Sequence, residues 1–193
     1  SARLANAAAG IVVKRRGTAV VRIRELTAAL LRRGLTAVEA KVADDITASA
    51  RAALWRAEGL KIGFTNGCFD LLHPGHVSLL EQAKAASDKL IVGLNSDSSV
   101  RRLKGSDRPI QNELARATVL ASMEAVDLVV VFDNDTPLSL IESLHPDVLV
   151  KGADYAKVDI VGSEQVEAYG GRVIRAELVD SVSTTATIAS LKE

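Results

Sequence analysis

Short apolar runs rich in β-branched residues alternate with stretches of helical spacing from residue 61 onward. The runs at 91–94, 128–132 and 148–150 are continuously apolar, which is typical of parallel strands that helices cover on both faces. This order predicts an α/β fold built on a doubly wound parallel sheet. The predicted strands are 61–65, 89–95, 127–132, 147–150 and 172–178, and the predicted helices are 76–86, 113–123, 137–144, 163–169 and 184–191.

Composition excludes several classes of protein. Lys and Arg number 24, as do Asp and Glu, so the chain of 193 residues has no basic field to attract nucleic acid. The single cysteine, Cys68, cannot form an intramolecular disulfide. No apolar run approaches the 18 or so residues that span a bilayer. We therefore predict a cytoplasmic protein that binds neither nucleic acid nor membrane.

The first 59 residues differ from the rest. They contain an Ala-rich helical stretch at 3–13, a strand-like 18–21 and helices at 24–33 and 44–58. Residues 1–60 carry 11 Lys and Arg against 5 Asp and Glu, whereas the remainder is acidic. The sequence thus predicts an α-rich N-terminal appendage at 1–59, followed by a domain at 60–193.

Two histidines mark the predicted functional site. The first strand of the domain runs into a loop that ends in His73-Pro74-Gly75-His76. Pro74 suits the first turn of a helix, and Gly75 leaves room for a ligand to approach the backbone. Histidines three residues apart can point the same way, beside the N–H groups and positive dipole end of the helix. This arrangement favours a phosphate, and a nucleoside triphosphate undergoing transfer without a protein nucleophile is the predicted ligand.

Two other interpretations of the histidines compete with this one. A zinc site requires three or four ligands, and only Cys68 and the distant His145 remain as candidates. Capping or packing would be the default for a lone histidine, but it is less favoured for a pair that follows a strand. Cys68 itself is interpreted as a small filler beneath the loop, because no general base is spaced to activate its thiol.

The residues Asn-Gly-Cys-Phe-Asp at 66–70 and His-Pro-Gly-His at 73–76 resemble the HxGH nucleotidyltransferase superfamily, whose fold is Rossmann-like. The match is narrower for the heptose-1-phosphate adenylyltransferase domain, to which about residues 60–193 are similar. That resemblance implies an enzyme that transfers AMP from ATP to a heptose 1-phosphate and releases pyrophosphate, for lipopolysaccharide core biosynthesis. It also implies Mg²⁺ as the cofactor that accompanies ATP. The matching segments are 95–100, 104–109, 135–137, 146–155, 169–171 and 183–185.

The same resemblance implies the roles of individual residues. His73, His76 and Lys104 would be catalytic, and no protein ligand to a metal is predicted. The alternatives are a solvated basic loop for Lys104 and Arg108, and plain helix capping for Asp97 and the segment 183–185. The predicted nucleotide- and phosphate-binding residues are Asn66, Gly67, Cys68, Phe69, Arg108, Ser183, Thr184 and Thr185, and the predicted substrate- or ribose-binding residues are Asp70, Asp97, Lys151, Gly152 and Asp154.

Segments 4–13 and 17–20 look like the end of a ribokinase-like sugar kinase domain. This implies that residues 1–59 are a remnant of such a domain plus a linker helix, without kinase activity. Exposed Ala-rich surface there predicts a homodimer. Two other functions stay open: a cytidylyltransferase that acts on a polyol or amino-alcohol phosphate, and a non-catalytic nucleotide-binding module.

Overall fold

The computed structural model describes residues 12–13, 38–153 and 156–177. The predicted elements at 18–21, 24–33 and 184–191 lie outside the described residues, as does nearly all of 3–13. The chain divides into two compact units, 1–40 and 41–193. Of the first unit, residues 38–39 are helical. Four predicted site residues also lie outside the described part: Asp154, Ser183, Thr184 and Thr185.

The second unit alternates strands and helices along the chain. A short 3-10 turn, Lys157–Asp159, precedes its last helix. The strands are β1 (Val42–Ala43), β2 (Ile62–Gly67), β3 (Lys89–Asn95), β4 (Leu128–Phe132), β5 (Val148–Gly152) and β6 (Arg172–Ala176), and the helices are α1 (Asp45–Ala57), α2 (Pro74–Ala85), α3 (Asp97–Lys104), α4 (Glu113–Ser122), α5 (Leu138–Leu144) and α6 (Ser163–Ala168).

The strands form one six-stranded sheet in the order β1-β4-β3-β2-β5-β6, and every neighbouring pair is parallel. This confirms the predicted doubly wound α/β fold. The order reverses at β2, which has β3 on one side and β5 on the other. In such sheets a crevice opens at the carboxyl ends of the strands beside the reversal, and ligands bind there. The loop that follows β2 carries His73 and His76 to this place.

The continuously apolar runs are the buried strands, as predicted. Residues 90–92 and 128–130 are fully buried. The helices α1 and α5 pack on one face of the sheet through Ala48, Ala52 and Ile141. At Gly93 a Cβ atom would lie 2.8 Å from Phe64 Cζ, so only glycine lets the phenyl ring cross β3 this closely. Burial of this kind, at about 25 cal/mol per Å² of apolar surface, is the main source of stability.

The structure contains a strand and a helix, β1 and α3, that the sequence did not predict. The strand β1 has two residues, too few to show a strand period, and it pairs with β4. The helix α3 begins within a Ser-rich segment that is typical of a loop. It forms because Ser96 caps it by accepting a hydrogen bond from Ser99 N at 3.0 Å, and because Val100 is buried.

The segment 42–57 belongs to the sheet domain. Its strand β1 is the outer strand of the sheet beside β4, and its helix α1 contacts α5. Lys41 adds to this packing, because its Nζ donates to Val126 O at 2.7 Å beyond the end of α4. The helix predicted at 44–58 is confirmed as α1. The interpretation of residues 1–59 as an appendage stays a prediction. Within the described ranges, no helix is both long and apolar enough to cross a membrane.

Candidate active site

The turn between β2 and α2 brings the two histidines face to face. His73 is the N-cap of α2 in an extended conformation, and Pro74 is the first helical residue. His76 N donates to His73 O at 2.9 Å, which places both side chains on the first turn. Their rings stack with centroids 3.8 Å apart and planes inclined by 28°. The two imidazoles therefore form one surface at the start of the helix, as their spacing predicts.

Four buried polar atoms cluster around this turn. They are His73 Nδ1, His76 Nδ1, Asn66 Oδ1 and Thr65 Oγ1, and none has a hydrogen-bond partner among the residues that the structure describes. A buried polar atom left unpaired costs about 1–3 kcal/mol, so such atoms are rare in a folded chain. Their concentration at the carboxyl end of β2 indicates that this place is built to hold a polar ligand.

Burial keeps both imidazoles neutral at physiological pH. It lowers the pKa of His73 below its ordinary value. The pKa of His76 falls to about 4, because the ring is largely buried and because a charged His73 would repel its proton. Each neutral ring presents one N–H donor and one acceptor nitrogen. Each uncharged ring can therefore donate one hydrogen bond to a phosphate oxygen.

Phe69 and two glycines hold the rings in place. The Phe69 ring lies 5.2 Å from His76, centroid to centroid, and its backbone has a φ of 43°. A Cβ at Gly67 would approach Phe69 Cε2 to 3.2 Å, and one at Gly75 would approach His73 Cε1 to 3.1 Å. Both distances are shorter than ordinary contacts. Small residues at these two positions therefore keep the aromatic rings where they are.

Lys151 joins the two strands that flank the crevice. Its Nζ, at the end of β5, donates to Asn66 O at the end of β2 across 2.9 Å. Gly152 is the last residue of β5 and pairs with Ala176 of β6. The predicted residues Asn66, Gly67, Lys151 and Gly152 are thus brought to one edge of the sheet.

Asp70 is held by internal partners. Its side chain is 1% exposed and accepts hydrogen bonds from Arg108 Nε at 2.6 Å, Ile110 N at 2.8 Å and Gln111 N at 3.0 Å. Burial raises the pKa of Asp70. The hydrogen bonds from Gln111, Ile110 and Arg108 together lower the pKa by more than burial raises it, so the net pKa is below its usual range. Asp70 is therefore a charged anchor that fixes Arg108, itself 13% exposed, beside the loop.

Cys68 lies within reach of the predicted cations. Burial raises the pKa of its thiol, and the positive charges of Lys104, Arg116 and Arg108 oppose this only in part. Cys68 is therefore a protonated thiol at neutral pH, which agrees with its interpretation as a filler. Because their charges act on Cys68, Lys104 at the end of α3 and Arg108 both lie near the loop after β2.

Arg116 of α4 is a site residue that the sequence-based prediction did not include. Its side chain is fully buried and donates from Nη2 to Asp97 Oδ1 at 2.7 Å. From Nη1 it donates to Cys68 O at 2.6 Å and Asn95 O at 2.9 Å, and from Nε to Gln111 O at 2.9 Å. Asp97, predicted to bind ribose or substrate, is thus the first residue of α3 and pairs with an internal arginine.

A signal for Arg116 was present in the sequence. The buried residues of α4 are Arg116, Ala117, Leu120 and Ala121, which follow the spacing of one helix face. An arginine on the apolar face of a helix is rarely solvated, and a buried one is almost always paired. The partners themselves are 5 to 48 residues away, so the sequence could not identify them.

These features define the class of protein. A doubly wound sheet with two neutral, stacked histidines at the start of a helix fits a nucleotidyltransferase, the class that the similarities reported next support. The chain belongs to the cytidylyltransferase-like family, whose profile matches residues 64–189.

Curated relatives match nearly the whole chain. The bifunctional protein HldE of Paramagnetospirillum magneticum is 59% identical over 191 residues, which are 99% of this chain and 39% of that protein. The HldE protein of Caulobacter vibrioides is also 59% identical over 191 residues, 99% of this chain and 40% of its own. The chain therefore spans about two fifths of the length of these relatives.

Two solved structures share the fold. A lipopolysaccharide core biosynthesis protein from Thermoplasma volcanium has a TM-score of 0.53 at 22% identity, and the match covers 64% of this chain and all of that one. A pantoate-β-alanine ligase from Francisella tularensis has a TM-score of 0.52 at 18% identity, over 78% of this chain and 76% of the ligase. At these identities the likeness concerns the fold alone.

Proposed function

We propose that this chain transfers AMP from ATP to D-glycero-β-D-manno-heptose 1-phosphate, giving ADP-heptose and pyrophosphate for the lipopolysaccharide core. The observation that carries the transferase chemistry is the stacked pair His73 and His76, whose buried Nδ1 atoms lack partners within the described ranges. The choice of heptose rests on the motifs quoted above and on the relatives named HldE.

The proposed reaction is an in-line displacement. An oxygen of the sugar 1-phosphate attacks the α-phosphorus of ATP and forms a new P–O bond, while the bond to the β-phosphate breaks and pyrophosphate leaves with the electron pair. The protein positions the reactants and stabilises the charge that spreads over the phosphate oxygens. His73 and His76 donate hydrogen bonds to the α-phosphate, where preorganised donors lower the barrier most.

The cations near the loop serve the leaving group in this proposal. Lys104 acts as a point charge and Arg108 as a planar fork toward the β- and γ-phosphate oxygens. The predicted helix start at Ser183–Thr185 would bind the same groups with backbone N–H donors. Asn66, Gly67 and Lys151, at the carboxyl ends of β2 and β5, would contact the nucleotide.

Mg²⁺ enters this proposal with ATP as part of the substrate. Where the structure describes the chain, no group of three or more His, Cys, Asp and Glu residues could hold a metal. The carboxylates of Asp70 and Asp97 are already paired with Arg108 and Arg116. In this proposal the triphosphate itself holds the ion, which would neutralise its charge.

Pyrophosphate release tests the proposal. ATP and CTP are each offered with heptose 1-phosphate and with glycerol 3-phosphate, in the presence of Mg²⁺. The expected result is release only with ATP and heptose 1-phosphate, with ADP-heptose as the product. Release with CTP and the polyol phosphate would replace the proposal with a cytidylyltransferase. Binding of ATP without turnover of any pair would make the chain a nucleotide-binding module.

Three further predictions accompany the proposal: a homodimer, a cytoplasmic location and no sugar kinase activity. Size-exclusion chromatography with light scattering tests the first, and fractionation of the native cell tests the second. Incubation with ATP and heptose 7-phosphate tests the third, since a kinase would form a bisphosphate.

A further inference from the structure

Arg116 is an unusual residue for the buried face of α4. Its side chain has no exposed surface, and its guanidinium donates to three backbone carbonyls and one carboxylate. Only one of these partners, Asp97, carries a negative charge. A leucine could fill a buried helix position without the cost of removing a cation from water. The packing of α4 therefore does not explain why an arginine occupies position 116.

The four acceptors belong to segments that carry the site. Cys68 O lies in the loop whose next residue, Phe69, contacts the His76 ring. Asn95 O ends β3 next to β2. Asp97 begins α3, the helix that ends at Lys104.

The fourth acceptor connects Arg116 to the anchor of Arg108. Gln111 O accepts from Arg116 Nε, while Gln111 N donates to Asp70. Asp70 in turn accepts from Arg108. A single guanidinium thus ties together the segments that carry the histidine contact, Lys104 and Arg108.

We propose that Arg116 is a positioning residue for nucleotidyl transfer, which holds the loop 66–70, the start of α3 and the segment 108–111 in register around the reacting phosphates. It touches none of the reacting groups itself, and it acts through the carbonyls of Cys68 and Gln111 and through Asp97. This inference rests on the proposed function.

The guanidinium shape is essential to this role. Three nitrogens of a planar fork reach acceptors on different segments, whereas a lysine ammonium presents its donors from one point. Arg116→Lys therefore keeps the charge opposite Asp97 and loses part of the link to the carbonyls. Arg116→Met keeps the side-chain volume, but it loses both the charge opposite Asp97 and the hydrogen bonds to the carbonyls. The two variants separate the charge from the geometry.

The experiment compares these variants with Arg56→Met as a control. Arg56 also donates to two carbonyls, Leu144 O at 2.7 Å and His145 O at 3.0 Å, but it is an exposed residue of α1, and these bonds reach the end of α5 rather than a site segment. Three quantities are measured for each chain: kcat and KM for ATP, the thermal midpoint, and the rate at which a disulfide reagent modifies Cys68. Cys68 is the only cysteine of the chain, so its rate reports the loop directly.

The expected result is a fall in kcat of about 10- to 100-fold for both Arg116 variants, because small misplacements of reacting groups cost this much. KM for ATP stays within about threefold, since the loss is one of orientation in the transition state. Cys68 reacts about tenfold faster in the native state as the loop opens locally. Arg56→Met lowers the thermal midpoint and leaves kcat and the Cys68 rate unchanged.

Wild-type kcat in Arg116→Lys would overturn the proposal, as would a loss of kcat that Arg56→Met reproduces at equal thermal midpoint. If Arg116→Met does not fold, Arg116→Lys decides the matter, and a failure of both to fold would assign the residue to folding alone. If the unchanged protein turns over no substrate pair, the proposed function fails. The Cys68 rates then still decide whether Arg116 holds the loop.

Discussion

Two polar clusters lie side by side at the carboxyl end of β2, and they differ in how their hydrogen bonds are satisfied. The histidine cluster contains His73, His76 and Asn66, with buried polar atoms that have no partner among the residues the structure describes. The arginine cluster centres on Arg116 and Asp70, which are buried too but bound on several sides. Burial alone therefore does not distinguish a binding site from a structural network.

The difference reflects what each cluster is for. Unpaired buried donors and acceptors cost free energy in the folded chain, and a ligand that pairs them recovers it. Paired charges in a low-dielectric interior hold segments in fixed positions instead. The proposed roles follow this contrast: the histidine cluster would bind a phosphate, and the arginine cluster would hold the loops around it.

The largest expected effect comes from removing a donor of the histidine cluster. His76→Ala should lower kcat about 10²- to 10³-fold, the scale for loss of one preorganised donor to a developing charge. The free energy of unfolding should change little, because the removal of an unpaired buried nitrogen offsets the loss of the ring contacts with His73 and Phe69. Steady-state pyrophosphate release and urea denaturation measure the two quantities.

His145→Asn is the matched control, since His145 ends α5 in the left-handed conformation that asparagine tolerates. It should retain wild-type kcat. An active His76→Ala chain would remove the histidine cluster from the mechanism.

The second effect concerns the arginine cluster and should appear as a loss in the free energy of unfolding. Asp70→Asn should lower the free energy of unfolding by about 3 kcal/mol, because it leaves Arg108 as a buried charge without its carboxylate. Denaturation in urea at pH 7 measures this loss. Asp88→Asn serves as the control, since Asp88 is exposed and accepts one backbone hydrogen bond from Lys61 N. Equal losses for the two variants would contradict the anchoring role of Asp70.

The third effect is a pH dependence that the histidine cluster imposes on stability. Above about pH 6.5 His76 is neutral in both the folded and the unfolded chain. Between about 6.5 and about 4 the unfolded chain takes up a proton that the folded chain refuses, so the free energy of unfolding falls as pH falls. Solvent screening at a ring that is not fully buried reduces the total to about 2 kcal/mol.

Urea denaturation across this pH range, compared with His76→Gln, measures that contribution. The glutamine variant cannot take up the proton and should lose this part of the slope. Identical slopes would show that His76 does not titrate near 4.

The smallest effect is expected for a substitution that moves the His73 ring slightly. Gly75→Ala places a Cβ 3.1 Å from His73 Cε1 and Nδ1, so the ring must shift by a few tenths of an ångström. We expect kcat to fall about tenfold. The free energy of unfolding should stay the same or rise slightly, because alanine favours a helix more than glycine does. Unchanged kcat would show that the histidine cluster tolerates movement of its rings.

Much of the fold follows from the sequence because it depends on local patterns. The apolar runs of β3, β4 and β5 can be recognised residue by residue, as can the helices α5 and α6 that follow β4 and β5. The strand β1 is not, because two residues carry no period and its pairing with β4 depends on a partner 87 positions away in the register Val42 to Val129.

The site divides in the same way. His73 and His76 lie three residues apart on one turn, so their stacking could be predicted from spacing. The pairing of Asp70 with Arg108 spans 38 residues, and that of Arg116 with Cys68 spans 48. Such contacts depend on how distant loops meet, which no local pattern encodes. Asp70 and Asp97 therefore carry internal partners that the sequence did not reveal, and their predicted contact with substrate stays a prediction.

The strand β1 has a consequence for handling the protein. It covers the outer side of β4 through Val42 and Ala43, and Lys41 closes the end of α4 on the same side. A shortened version that starts at residue 60 would leave the backbone N–H and C=O groups of β4 open to another molecule, beside the apolar Leu128 and Val130. Exposed strands of this kind recruit one another and aggregate. Soluble preparations of the catalytic region should therefore begin before residue 41.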